Sequence, residues 1–229
     1  MKEIKSVPIS DIRVYRSNIL NIDGNTLPEE FATKSVNVVI KRIAMKLRES
    51  GFSLGEFDHL YLNFTTCLKD GIMIPSGRSI DIYHKWYRYY DVGVTDECYQ
   101  NLSAETAVYF IAEKIEKLLN TYFAHNDIRL VKSCIEEAIE KGENMLMLYK
   151  TKRNGKNKAE IYLQLLDTGE YCPNLFVYDK NGVEVLHKKM PCTLDLMNLG
   201  EIRLSGRKVT VIPRKNSLAQ DLESVSFEL

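Results

Sequence analysis

Residues 144–166, NMLMLYKTKRNGKNKAEIYLQLL, decide the architecture, because the hydrophobic period changes there. In the residues leading to Gly142 the apolar positions recur at helical spacing. Beyond it, residues 145–149 form an apolar run, and Ile161, Leu163 and Leu165 alternate with Glu160, Tyr162 and Gln164. A period of two belongs to a strand with one buried face. Asn154-Gly155 lies between the two runs, a hairpin signal because both residues tolerate positive φ.

Downstream the pattern repeats. Residues 175–178 and 183–186 flank the turn Asp179-Lys180-Asn181-Gly182, and residues 202–204 and 209–212 flank Ser205-Gly206-Arg207. Short strands joined by tight turns predict a β-meander or barrel-like sheet. Upstream, Ile128, Val131, Ile135 and Ile139 form one helical stripe, capped by Asn126 or Asp127 and ended by Gly142. Ala104, Val108, Ile111, Ile115, Leu118 and Leu119 form another, from Ser103 to Tyr122. Val36, Val39, Ile40, Ile43 and Leu47 form a third, with Gly51 in the C-cap place and a start at Thr26-Leu27-Pro28-Glu29 after the turn-rich residues 21–25.

Between these helices the period is again two. Residues 9–15 predict an edge strand and residues 60–65 a half-buried one. Asp70-Gly71 and Pro75-Ser76-Gly77-Arg78 are turns that return residues 72–74 and 80–83 beside it. Short connections predict antiparallel pairing. The fold class expected is α+β: helices packed on a small antiparallel sheet, followed by the C-terminal β-rich part. The boundary falls at residues 142–144, giving a mixed domain, 1–142, and a β-rich one, 143–229. No flexible linker separates them, so one core shared by both parts is the expectation.

Composition bounds the function. The chain has 229 residues, 31 Lys plus Arg and 31 Asp plus Glu, a net charge of zero. That balance excludes a strongly basic nucleic-acid wrapper and an acidic disordered tail. The opening MKEIKSVPISDIRVYR lacks the apolar core of a secretory signal, and no apolar run approaches a membrane span. Cys67, Cys98, Cys134, Cys172 and Cys192 are scattered and odd in number, which predicts thiols in a reducing compartment and a cytoplasmic location. Lys, Ile and Asn usage suggests a bacterial source.

The densest unusual feature is residues 83–91, YHKWYRYYD. As a strand, it turns Tyr83, Lys85, Tyr87 and Tyr89 to one face and His84, Trp86, Arg88 and Tyr90 to the other. Aromatics and Arg supply contact area with polar tips, the chemistry of binding hot spots. These residues, apart from His84, are the candidate binding set; the competing reading is a Tyr-rich strand wedged between sheet and helices. His84, Asp81 and Asp91 are the catalytic candidates, but His84 and Asp81 point to opposite faces of a strand, and no local nucleophile completes a relay. His59, His125 and His187 are dispersed, so no metal or cofactor is expected.

A second candidate is the basic hairpin Lys150, Lys152, Arg153, Lys156 and Lys158. It suits an acidic partner or nucleic acid, and equally a solvated turn tip. Asp167-Thr168-Gly169 reads as a turn, and the carboxylate pairs as surface decoration. No phosphate loop and no nucleophile elbow is present. The function expected is therefore a non-enzymatic protein-interaction or regulatory module of the bacterial cytoplasm, the class that includes immunity-type proteins which block a partner enzyme. Its partner is another protein, with zero net charge disfavouring nucleic acid, and no membrane is involved. The alternative is a hydrolase or nucleic-acid-processing enzyme whose site assembles from separated elements.

Overall fold

The structure is a computed structural model that describes residues 7–17, 34–77, 85–123 and 128–229. The chain divides into two units, Met1–Gly142 and Glu143–Leu229. The first contains β1 (Asp11–Arg16), α1 (Lys34–Glu49), β2 (His59–Thr65), β3 (Met73–Pro75), β4 (Tyr87–Gly93), α2 (Asp96–Asn101), α3 (Ala104–Tyr122) and α4 (Ile128–Lys141). With the three sheets below, the described residues form an α+β chain of four α-helices.

The first sheet has the order β1-β2-β4-β3 and is mixed. Strands β1 and β4 each pair with β2 in parallel, and only β3 is antiparallel, to β4. The expected antiparallel sheet is thereby corrected. The reason is the connection: α1 carries the chain back from the end of β1 to the start of β2, and such a crossover leaves adjacent strands parallel. After β2 the chain turns into β3, which takes the outer side of β4, so β4 lies directly against β2. Strand β2 is also buried on both faces rather than one, Tyr61, Asn63 and Thr65 along with Leu60, Leu62 and Phe64. The strand expected at residues 80–83 lies outside the described residues, as do the turn at 21–25, the cap at 26–29 and the cap at Asn126 or Asp127.

Helix α1 buries Val36, Ile40, Ile43 and Leu47. It stops where Gly51 takes φ +75° and the Phe52 N–H donates to the Leu47 carbonyl at 3.0 Å. Helix α3 starts at Ser103, whose Oγ accepts the Thr106 N–H while Thr106 Oγ1 accepts the Ser103 N–H. The short α2 was not foreseen; Thr95 caps it through the Cys98 N–H, and Asp96 and Glu97 suit its first turn. Helix α1 packs on α3, α4 and β1. Phe64 meets Phe110 of α3 at 5.7 Å and Tyr90 meets Tyr122 at 4.9 Å, so the even-numbered side chains of β2 and β4 face the helices. The odd-numbered ones take the opposite face.

The second unit is built from β5 (Met147–Arg153), β6 (Asn157–Leu165), β7 (Tyr171–Asp179), β8 (Glu184–Lys189), β9 (Glu201–Leu204), β10 (Lys208–Ile212) and β11 (Val225–Glu228). Strands β5 to β8 form an antiparallel meander in chain order, and β11-β10-β9 a second antiparallel sheet. Among the described residues no barrel closes, so of the two forms expected the meander is the one present. Asn154 Oδ1 accepts the Lys156 and Asn157 N–H groups at the first hairpin, and Asp179 Oδ1 those of Asn181 and Val183 at the third. Ala159, Ile161, Leu163, Leu165, Leu175 and Val177 are fully buried on one face of the meander, and Val209, Val211 and Ile202 are buried in the smaller sheet. Strand β11 escaped the sequence reading because Val225-Ser226-Phe227 is too short an alternation to stand out; pairing with β10 creates it.

Cys172 and Cys192 form a disulfide, which corrects the reading of all five cysteines as thiols. The Tyr171 N–H donates to the Thr193 carbonyl at 2.7 Å and the Thr193 N–H to the Tyr171 carbonyl at 2.9 Å. That antiparallel bridge sets Cys172 directly opposite Cys192, with Cα atoms 4.2 Å apart. Spacing of 20 residues along the chain carries no hint of this.

Candidate functional site

Parallel register brings three strands' odd-numbered side chains into rows: Asp11, His59 and Tyr87; Arg13, Tyr61 and Tyr89; Tyr15, Asn63 and Asp91. The result is an aromatic cluster on the sheet face away from the helices. Tyr61 lies at its centre, stacked on Tyr87 at 5.1 Å with planes 14° apart and edge-on to Tyr89 at 5.1 Å and Tyr15 at 5.6 Å. Tyr87 and Tyr89 are 5.6 Å apart, and Tyr15 and Tyr89 5.8 Å. Arg13 holds Asp11 at 2.6 Å and places its guanidinium 5.3 Å from the centre of the Tyr61 ring. Burial pushes the Tyr61 hydroxyl up to about 12, so this face carries a neutral phenol at every physiological pH.

At the lower rim the chain turns at Lys85 and Trp86. The Trp86 carbonyl accepts both the Asp58 and His59 N–H groups, at 3.0 and 2.9 Å, which ties the turn to the start of β2. Trp86 itself is 45% exposed and meets Tyr87 edge-on at 6.4 Å. His59 is paired through Nδ1 with Asp58 Oδ1 at 2.7 Å, beside Tyr61. At the end of the rows away from Trp86 the cluster turns polar: Asn63 Nδ2 donates to Asp91 Oδ1 at 2.7 Å, with Asn63 0% and Asp91 1% exposed, and Asn63 Oδ1 has no hydrogen-bond partner among the described residues.

The sequence candidates divide. Tyr87 and Tyr89 join the cluster, Trp86 and Lys85 border it, and Tyr90 is sealed against Tyr122 and Phe123 on the helix side, where burial raises its hydroxyl pKa. Arg88 donates to the carbonyls of Lys85 and Tyr87 and stacks over Phe57, so it braces the turn. Tyr83, His84 and Asp81 lie outside the described residues, and Asp91 is inside the sheet rather than at its surface. Arg13, Tyr15 and Tyr61 were missed. Their signal is parity, Arg13 and Tyr15 on one strand and Tyr61 on another, and it acquires meaning only once the strands are known to be parallel neighbours.

The basic hairpin also divides. Lys150 Nζ donates to the Leu199 carbonyl at 2.7 Å and to that of Gly200, which anchors β5 rather than charging the tip. Lys158 pairs with Glu160 at 2.6 Å, a carboxylate only 4% exposed. Lys152, Arg153 and Lys156 are exposed. Among the described residues no three His, Cys, Asp or Glu side chains converge as a metal site, and no helix is long and apolar enough to cross a membrane. Comparison with protein-family models, curated proteins and solved structures finds no match to this chain.

Proposed function

We propose that the chain is a non-enzymatic protein-binding module that docks a partner protein on the tyrosine face of its first unit. The observation that carries this reading is the aromatic cluster itself: Tyr15, Tyr87 and Tyr89, half-exposed and packed around the buried Tyr61 on the side away from the helices, with Trp86 exposed at its edge. Rigid rings that already pack on one another lose little entropy on binding, and they offer broad contact area with hydroxyl tips, as binding hot spots do. Arg13 supplies a cation at the rim. An inhibitory or regulatory role of the immunity type fits such a preformed surface. The Cys172–Cys192 disulfide counts against a reducing compartment and so against the cytoplasmic location expected.

The alternative, an enzyme built on His84, Asp81 and Asp91, draws less support, since Asp91 is buried and engaged by Asn63. The test is a partner identified by native capture, then purified and titrated against the chain. Trp86→Ala and Tyr87→Ala are each expected to weaken that complex at least 10-fold while the thermal melt of the chain moves little. A purified partner that binds both variants as tightly as the parent overturns the proposal.

A further inference from the structure

We infer that the second unit carries a separate site for single-stranded nucleic acid, in the groove between the β5–β6 and β7–β8 hairpin tips. An antiparallel meander puts these two tips at one end of the sheet and the β6–β7 turn at the other. Between the tips lies an open groove of about 530 Å³ whose lining includes Arg153, Lys156, Lys158, Tyr178 and Lys180. Of its two carboxylates, Glu160 is paired with Lys158, while Asp179, held below the usual carboxylate range by the backbone N–H groups of Val183 and Asn181, stays anionic beside Lys180. Among the described residues Arg153, Lys156 and Lys180 are exposed and form no ion pair. Asp167, Glu170 and Glu143 sit at the opposite end, where Glu143 Oε2 accepts the Asp167 N–H. The groove lining holds four cations against two carboxylates, with Glu184 opposite Tyr178 beside it, a basic patch that a net charge of zero conceals.

The sheet face beside these cations is aromatic. On the meander face opposite the apolar core, Lys158 pairs across strands with Tyr178, Glu160 with Phe176, and Phe176 with His187. Phe176 and His187 stack at 4.1 Å with planes 13° apart, Tyr178 is parallel to Phe176 within 9°, and Tyr162 meets Phe176 edge-on at 5.6 Å. None of these rings is buried. Cations that track a phosphate chain, leading onto a row of parallel rings, are the two parts of a single-strand platform. A duplex hides the base faces that such rings engage, and a peptide of Asp and Glu alone has no aromatic rings to stack on them, so the occupant that uses both features is an unpaired strand.

The test is fluorescence anisotropy of the full chain with labelled 12-nucleotide oligouridylate and oligothymidylate, between 50 and 200 mM salt. Three engaged phosphates predict a slope of log K against log salt of about −2, roughly a 20-fold loss over that range. Lys156→Ala with Lys180→Ala is expected to bring the slope to about −0.7. Tyr178→Leu is expected to weaken binding roughly 5- to 100-fold at fixed salt without changing the slope. Trp86→Ala leaves this binding unchanged, which separates it from the docking face of the first unit. Absence of binding at 50 mM salt overturns the inference. So does binding in which Tyr178→Leu is silent and heparin or polyglutamate competes as well as the oligonucleotide, since that describes a general polyanion surface. Far-UV circular dichroism checks each variant's fold, and the lysine pair, on exposed turns, stands as the test if Tyr178→Leu does not fold.

Discussion

Replacing both Cys172 and Cys192 with serine removes a bond that closes a 20-residue separation around the β7–β8 hairpin. Treated as loop closure in the unfolded chain, a cross-link of that span contributes about 3 kcal/mol at 25 °C. A unit of 87 residues (143–229) has a total stability of roughly 4–13 kcal/mol at ordinary per-residue values. The bond is therefore a large share of what holds the second unit folded. The backbone pairing of Tyr171 with Thr193 remains in the variant, so the native register is expected to persist and only its free energy to fall. Urea denaturation followed by hydrogen exchange of β6–β8 peptides reads this locally, comparing parent, reduced parent and the double variant. The two altered samples are expected to agree with each other and to lie about 3 kcal/mol below the oxidised parent. A thiol count on denatured, unreduced protein is expected to give three groups, Cys67, Cys98 and Cys134. Five titratable thiols, or a double variant as stable as the parent, would contradict this account of the second unit.

Gly93→Ala is expected to cost about 2 kcal/mol or more, because a Cβ there would lie well inside contact with the Lys69 carbonyl; a denaturation midpoint equal to the parent's contradicts this. Asn63→Leu leaves the buried Asp91 carboxylate without the amide that donates to it and is expected to cost about 3 kcal/mol. Adding Asp91→Leu should recover much of that loss, and a double-mutant cycle with no coupling rules the pair out as a unit. Glu137, held by Lys141 and then by Lys46 of α1, has its carboxyl pKa lowered from the ordinary 4.5. The stability it contributes is present above 4.5 and lost as pH falls through the lowered folded value. Glu137→Gln should flatten the acid limb of a stability-against-pH curve in that window, and an unchanged limb assigns acid sensitivity elsewhere.

The readable parts of this chain were those governed by near neighbours. The stripe Val36, Val39, Ile40, Ile43 and Leu47 specifies a helix within four turns, and all of it but the half-buried Val39 is the buried side. Asn154-Gly155 specifies a hairpin within two residues, since turn chemistry is local. The aromatic run drew attention for the same reason, and its parity separated Tyr87 and Tyr89 from Tyr90 without any structure. What lay beyond reach were pairings across distance. Letters that alternate, as in Leu60-Tyr61-Leu62, read as one buried face, yet β2 is covered on both. Lys150 reads as part of a charged tip, yet a carbonyl pair about 50 residues away holds it.

Most secondary elements, α2 and β11 excepted, and the mixing of helix with sheet were already written in the chain's letters, because hydrophobic period and turn residues act through the covalent neighbourhood. That β1, β2 and β4 run parallel, and hence that Arg13, Tyr61 and Tyr89 share a row, was settled by the folded chain. It alone decided that Cys172 faces Cys192 and that Lys180 joins Arg153 and Lys156 around one groove. Each of these depends on strand direction and register. Those are set by the summed burial of whole faces, a quantity that no local stretch of residues contains.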